Sequence, residues 1–282
     1  ACTAIMLPMS SLLEKLAIKL VPENDKKDVI AELDERLLDT PPIALERCSK
    51  LVCDMASLSA SALNTSMRML EKYDSRSADA IRESEEKADH YEDILGTYLV
   101  KLSRHRVSDS DSAAISKLLK AIGDFERISD HSVNILESAE ELKDKEIQFT
   151  SAAKNELYTL CRAVSEILSL SCDAFINNDL EAARNVEPLE QVIDKLRDKL
   201  RNGHIVRLKN GECSIEVGFI WSDLLTNLER TADHCSNLAV CVIDAANNNM
   251  NLHSSLRQMK ADSTYYKEKY AEYAEKYLTE EE

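Results

Sequence analysis

One acidic motif occurs twice in this 282-residue chain. Residues 124–134 read DFERISDHSVN and residues 227–237 read NLERTADHCSN, so Glu-Arg-x-x-Asp-His-x-x-Asn recurs at a fixed spacing. In an α-helix, residues four apart lie one above the other on the same face. The two carboxylates of each motif therefore line up along a helix, an arrangement that can bind a cation.

The first carboxylate of each motif is expected to face the protein interior. Apolar or small residues recur every three or four positions along both segments, and Glu126 and Glu229 each fill a gap in that series. A buried carboxylate is costly unless it is paired, protonated or bound to a cation. Two interpretations stay open: a buried ion pair with an arginine such as Arg127 or Arg230, or a metal site.

The metal interpretation adds acids from the preceding helix of each repeat. Aligning the two halves pairs Glu86, Asp89 and Asp93 with Glu187, Glu190 and Asp194. Oxygen ligands suit magnesium, manganese, calcium or iron, and the expected cofactor is a divalent or trivalent metal ion: iron, zinc, manganese or magnesium. The predicted metal ligands are Glu126, Asp130, Glu229, Asp233, Asp89, Asp93, Glu190 and Asp194.

The other polar residues of the motif have less certain roles. His131 and His234 could be further ligands, or each could orient a carboxylate through a hydrogen bond. Asn134 and Asn237, about one turn further along, are expected to cap the row of polar motif side chains.

The sequence lacks the motifs of common enzymes. No glycine-rich phosphate loop, GxSxG or HExxH sequence occurs. Carboxylate-bridged di-iron proteins use Glu-x-x-His pairs, whereas here the histidine follows the glutamate by five positions and lies off that face. We therefore predict no catalytic residue and no enzymatic activity.

Composition and periodicity predict an all-α protein. Only five glycines and five prolines occur, whereas strands and tight turns need these residues. Apolar spacing predicts two tandem three-helix bundles, each with its motif on the third helix, which indicates duplication. A C-terminal helix over residues 254–278 follows; its tyrosines either pack on the protein or bind a partner. The glycine-containing stretch 202–218 is expected to be a loop.

The predicted domains are residues 1–25, a linker or the end of a transmembrane segment, residues 26–150, the first repeat, and residues 151–282, the second. The apolar opening is too short to span a bilayer, so composition leaves an ordinary helix and a truncated span equally open. Eight cysteines without a CxxC pair indicate reduced thiols inside the cell. A net charge of −16 argues against nucleic acid or anionic lipid as a partner.

The paired ERxxDH helices in two three-helix units resemble the PhoU family, bacterial regulators of phosphate uptake whose repeats carry Glu/Asp-x-x-x-Asp motifs. This resemblance covers residues 43–247. Residues 33–46 and the stretch from RLKNGECS through DLLTNLERTADHCSN look more specifically like the cytoplasmic PhoU-like region of bacterial sodium–phosphate cotransporters.

This resemblance implies metal clusters held by Glu126, Asp130, Glu229 and Asp233, and a non-catalytic regulatory domain at the cytoplasmic face of the membrane. The implied partner is the transmembrane part of a sodium–phosphate transporter or a phosphate-signalling membrane complex, with a homodimer as a further expectation. The apolar opening would then be the end of the last transmembrane helix. Alternatives are a free-standing PhoU regulator, a metal-dependent helical-bundle enzyme and a purely structural helical scaffold.

Overall fold

The computed structural model describes residues 33–246 and 264–279. Within these ranges there are seven α-helices and one short 3-10 helix (Glu35–Asp39), and no strand. The predicted all-α class is confirmed. The α-helices are α1 (Pro41–Met69), α2 (Ser75–Ser103), α3 (Asp109–Asp144), α4 (Ser151–Asn177), α5 (Leu180–Lys209), α6 (Ile215–Ala246) and α7 (Thr264–Leu278).

Polar residues before the helices fix where several of them begin. Asp74 and Asp179 accept backbone N–H groups from the first turns of α2 and α5. Ser108 and Asp111 form a reciprocal capping box at the start of α3. Asn178 adopts a left-handed conformation with φ 51°, which ends α4 and lets α5 begin almost at once. The boundaries between helices are therefore set by local sequence.

The helices form two three-helix bundles that share one core. Helices α1, α2 and α3 pack on one another, and so do α4, α5 and α6. Helix α3 also packs along α6, and α1 touches α4. Phe125 of α3 meets Phe175 of α4 edge to face, with ring centroids 5.2 Å apart. Because α3 and α6 are the motif helices, this packing brings the two copies of the motif side by side.

Helix α7 adds a fourth helix to the second bundle. It lies on α5 and touches α4. Tyr273 and Tyr277 are buried, and the Tyr277 hydroxyl donates a hydrogen bond to Glu166 of α4. The ammonium of Lys195 on α5 lies 2.5 Å from the Tyr270 hydroxyl. These tyrosines of the C-terminal helix therefore pack against the rest of the protein.

The prediction of a loop over residues 202–218 is wrong in its extent, because only residues 210–214 connect the two helices. Helix α5 continues to Lys209 and α6 begins at Ile215. Gly203 lies inside α5, where a glycine costs only about 1 kcal/mol relative to alanine. One turn later, Arg207 is buried and donates two hydrogen bonds, of 2.9 and 2.8 Å, to Glu156 of α4. This tertiary contact supports the last turns of α5, and Gly211, with φ +73°, follows the helix end.

No helix in the described ranges is both long and apolar enough to cross a bilayer. Residues 1–25, expected to be a linker or the end of a transmembrane segment, lie outside the described residues, as does the start of the C-terminal helix expected from residue 254.

Candidate functional site

The first motif places two carboxylates in a half-buried position on α3. The side chains of Glu126 and Asp130 are 19% and 31% exposed. Their basic neighbour is Arg127, whose nitrogens lie 3.4 Å from Glu126 Oε2 and 3.1 Å from Asp130 Oδ2. Arg127 belongs to the same helix and is 60% exposed, so solvent weakens its attraction for both acids. The buried ion pair between helices that was considered from the sequence is therefore not what Arg127 forms: it pairs within its own helix, at the solvent side of the acids.

Helix α2 adds further acids to this site. Burial and, after it, the charges of Asp130 and Glu92 together raise the pKa of Glu126 to about 7, against the charge of Arg127. Burial also raises the pKa of Glu85, with added repulsion from Asp130 and Asp89. We call Glu85, Asp89, Glu92, Glu126 and Asp130 the first acid cluster. The raised pKa values of Glu126 and Glu85 thus reflect burial first and repulsion among these acids second.

The second motif meets a partly buried cation of the protein itself. Arg197 of α5 is 23% exposed, and its guanidinium lies 3.3 Å from Glu229 Oε1. The same guanidinium also hydrogen-bonds Asp194. Burial raises the pKa values of Glu229 and Asp233, whereas the charge of Arg197 lowers both. We call Asp194, Glu229 and Asp233 the second acid cluster; it is already paired with a guanidinium.

Arg197 takes the place that an acid occupies in the first repeat. Counting equal steps from the capping residues of α2 and α5 pairs Glu92 with Arg197 and Asp89 with Asp194. The electrostatic neighbours agree, because the charge of Glu92 acts on the first motif and that of Arg197 acts on the second.

This structural register differs by one helical turn from the sequence alignment of the repeats, which paired Asp93 with Asp194 and Asp89 with Glu190. A shift of one turn keeps every residue on nearly the same face, so the apolar pattern alone could not exclude it. In the structure Asp93 is exposed on α2. Glu190 is buried one turn before Asp194, near Tyr266 of α7, and accepts a 2.7 Å hydrogen bond from Gln191.

The two acid clusters differ in how well their arginine is shielded from solvent. Among the residues that the structure describes, no three acidic, histidine or cysteine side chains are close enough to coordinate a metal as they stand. The first acid cluster offers carboxylate oxygens, which are the ligands that hard cations prefer, and its arginine, Arg127, is 60% exposed. The second contains Arg197, which is 23% exposed and contacts two of its acids.

The two motif histidines lie at the contact between α3 and α6, which we call the seam. His131 Nδ1 is 2.9 Å from Asn227 Oδ1, and His234 Nδ1 is 2.9 Å from Asp124 Oδ1. The two imidazole rings are 5.6 Å apart between centroids. Each repeat thus sends its histidine to the other repeat, and neither ring hydrogen-bonds a motif carboxylate.

The motif asparagines complete the seam. Asn134 donates to Asn227 Oδ1 at 3.1 Å, and Asn237 donates to Asp124 Oδ1 at 3.3 Å. Asp124 and Asn227 were not predicted from the sequence to be functional residues. One feature of the sequence could have indicated them: both stand at the same position, two residues before the glutamate of each motif.

Comparison with protein families identifies the fold that carries these motifs. The PhoU domain family matches residues 52–139 and 157–242, so each match covers most of one three-helix bundle and together they span more than half of the chain. The chain belongs to the PhoU family.

Curated relatives and solved structures agree with this PhoU assignment. The chain is 27% identical over 193 residues to the phosphate-specific transport system accessory protein PhoU homolog 1 of Thermotoga maritima, covering 68% of this chain and 82% of that protein. It is 25% identical over 211 residues to the Pseudomonas aeruginosa PhoU homolog, covering 74% and 86%. The crystal structure of PhoU from Pseudomonas aeruginosa superimposes with a TM-score of 0.68 at 22% identity, covering 73% of this chain and 98% of that one.

These relatives correct one expectation from the sequence. The prediction that the chain is the cytoplasmic domain of a sodium–phosphate cotransporter is wrong, because the relatives are PhoU accessory proteins that align over 82% and 86% of their own length. The cotransporter interpretation rested on residues 33–46 and 207–237, and the second of these stretches lies inside the second PhoU family match. The findings support the alternative, a PhoU regulator.

Proposed function

We propose that this PhoU protein is a non-catalytic regulator of phosphate uptake that acts on a separate phosphate transport system. One observation carries the proposal: both bundles match the PhoU family, and the relatives are accessory proteins of phosphate-specific transport systems. The partner would be a phosphate-signalling complex in the membrane. The protein would accordingly work at the cytoplasmic face of that membrane, and a homodimer remains a prediction.

We further propose that the first acid cluster binds a divalent or trivalent cation. Glu126 and Asp130 would supply carboxylates from α3, and Asp89 would supply one from α2. Support comes from the raised pKa values of Glu126 and Glu85, which reflect burial and mutual repulsion that a cation relieves. The bound cation would stabilise the packing of α2 on α3 and thereby the surface offered to the partner.

The regulatory role is tested by deleting the gene in its host and measuring phosphate uptake at low and high external phosphate. We expect uptake to stop responding to external phosphate, and the wild-type gene to restore the response. A variant with Glu126→Gln and Asp130→Asn tests the metal site in the same strain. Glu137→Gln, an exposed acid on the same helix, is its matched control. Unchanged uptake in the deletion strain would refute the regulatory role.

A further inference from the structure

A cavity of about 340 Å³ opens between the C-terminal half of α5 and the first turns of α6. Its polar lining comes from Arg197, Arg201, His204, Trp221, Ser222 and Thr226. None of the described side chains that line it is acidic, although the whole chain has 51 acidic residues and a net charge of −16. A basic cavity in so acidic a protein needs a physical account.

Three buried nitrogen atoms of the lining residues have no acceptor. Arg197 Nε, His204 Nε2 and Trp221 Nε1 have no hydrogen-bond partner within the described part of the chain. Trp221 is only 1% exposed and His204 only 8%. Arginine Nε and tryptophan Nε1 always carry a hydrogen and cannot act as acceptors. Because buried donors are nearly always satisfied in folded proteins, this group needs an acceptor that the described residues do not supply.

The surroundings of His204 favour a third N–H donor. Its Nδ1 lies 3.9 Å from the sulfur of Cys213, whose thiol can donate to it, which leaves the ring hydrogen on Nε2. The ring stacks on Trp221 with centroids 5.9 Å apart. A Cβ atom at Gly218 would lie 2.9 Å from Nε2, so a glycine is needed there for the ring to keep this position.

The charge that lacks a partner at this cavity belongs to Arg201. Arg201 is exposed and makes no ion pair with the described residues. Arg197 also lines the cavity, but Asp194, Asp198 and Glu229 already balance its charge. A water molecule could satisfy a single donor, but water does not balance the charge of a guanidinium. An oxygen-rich anion does both, and charge-assisted hydrogen bonds to arginine are strong.

We propose that this cavity binds a small tetrahedral oxyanion of the phosphate class, either free phosphate or the phosphate group of a small ester. Arg201 would hold it from the mouth, while Arg197, Trp221 and His204 would donate from the interior. The volume is near the lower end of the range for small-molecule pockets, roughly 300–1,000 Å³, which suits a small ligand. This inference rests on the proposed function only for the choice of phosphate among oxyanions.

The chain contains its own reporter, because Trp221 is the only tryptophan in the sequence. Sodium phosphate is titrated into the full chain with a chelator present, and Trp221 fluorescence and calorimetric heat are followed. We expect a saturable change with phosphate and none with sodium chloride at equal ionic strength. Glycerol phosphate is titrated in parallel: tighter binding than phosphate identifies an ester as the ligand, and weaker binding identifies free phosphate.

Two variants locate the site. Arg201→Ala should weaken phosphate binding at least tenfold, whereas Arg184→Ala, an exposed arginine on the same helix, should bind as the wild type does. Gly218→Ala should also weaken binding, because the added methyl displaces His204. Circular dichroism checks that each variant is folded. The proposal is overturned if phosphate gives no saturable signal, if chloride gives the same one, or if Arg201→Ala binds phosphate as tightly as Arg184→Ala.

The outcome is separable from that of the uptake experiment. The titration contains no transport system, so a chain that fails to bind phosphate could still regulate uptake in cells. Conversely, if the chain binds phosphate but deletion of its gene leaves uptake unchanged, the phosphate site is supported and the proposed regulatory function is refuted.

Discussion

In the first repeat the charge of Glu92 repels Glu126, whereas at the equivalent place in the second repeat the guanidinium of Arg197 attracts Glu229. The motif itself is identical at five positions in the two copies. A residue on the neighbouring helix therefore decides whether the motif carboxylates have only an exposed arginine beside them, as Arg127 is, or a largely shielded one, as Arg197 is. The comparison teaches that the motif alone does not define a metal site, because α2 and α5 determine its net charge.

The largest effect is expected from making the second repeat resemble the first. Arg197→Glu removes the ion pairs of Arg197 and adds a like charge. Breaking a buried pair costs about 3–5 kcal/mol; because Arg197 and Glu229 are partly exposed, we expect the free energy of unfolding without metal to fall by about 2–4 kcal/mol. Urea unfolding in chelator measures this, and added manganese or zinc should restore part of the loss.

The control for this substitution is Arg184→Glu, which reverses an exposed charge on the same helix. It should change the free energy of unfolding by less than about 0.5 kcal/mol. An equal loss in both variants, or no gain of metal response in Arg197→Glu, would show that Arg197 does not occupy the place of a cation.

The second effect concerns metal binding by the unmodified motifs. A ligand that binds only the folded state stabilises it by about 2.7 kcal/mol at 100 times its Kd, and we expect a stabilisation of this order with a suitable divalent ion. The pair Glu126→Gln and Asp130→Asn should abolish it, whereas Glu229→Gln and Asp233→Asn should leave most of it. Thermal unfolding with and without metal, together with elemental analysis, provides the measurement.

Equal loss of metal in the two double variants would contradict the difference between the repeats. Loss in the second-repeat variant alone would reverse it.

The helices could be predicted from the sequence because their signals are local. Polar caps such as Asp74 and Asp179 precede helices with regular apolar spacing, and both are used in the structure. The inward direction of Glu126 followed from its place in the apolar series, and the structure finds it half-buried. The helical ending of α5 was missed, because Gly203 was read as a breaker while the stabilising contact of Arg207 with Glu156 is tertiary.

Other features of the site depend on how helices meet. The opposite charges of Glu92 and Arg197 could not be paired from sequence, because shifting one helix by a turn preserves its apolar face. The roles of His131 and His234 depend on which faces of α3 and α6 pack together. Periodicity shows that a helix has a buried face, but it does not identify the neighbour that covers it.

The third effect is a pH dependence that should differ between the repeats. The pKa of Glu126 is raised to about 7 in the folded protein, so the folded state holds a proton that the unfolded state releases near its ordinary value of about 4.3. Stability without metal should therefore fall as pH rises from about 4.3 to about 7. Glu126→Gln removes this loss and should raise the free energy of unfolding at pH 8 by about 1–2 kcal/mol, after allowance for solvent screening.

Urea unfolding at several pH values in chelator measures this slope, with Glu137→Gln as the exposed control. Glu229→Gln should gain less at pH 8, because it leaves Arg197 without one of its acidic partners. A larger gain in Glu229→Gln than in Glu126→Gln would contradict the charge difference between the two clusters.

The smallest effect concerns the seam, where His234 faces the carboxylate of Asp124 and His131 faces the neutral amide of Asn227. Burial lowers the pKa of His131, and the charges of His234 and Arg230 add to this, against the hydrogen bond that its ring donates to Asn227 Oδ1 and the charge of Asp130. Below about pH 6.5 the unfolded chain therefore gains a proton more readily than the folded one, and stability falls as pH decreases.

Asn227→Asp should make the seam symmetric by giving His131 a carboxylate partner. We expect the pKa of His131, followed by NMR titration of its ring protons, to rise, and the loss of stability at pH 5.5 to shrink by about 0.5–1 kcal/mol. The reciprocal variant Asp124→Asn removes the carboxylate partner of His234, and it should change the titration of His131 less than Asn227→Asp does, because it acts only through the charge of His234. A His131 titration that is the same in Asn227→Asp and in the wild type would mean that burial alone, rather than the identity of residue 227, sets the protonation of this ring.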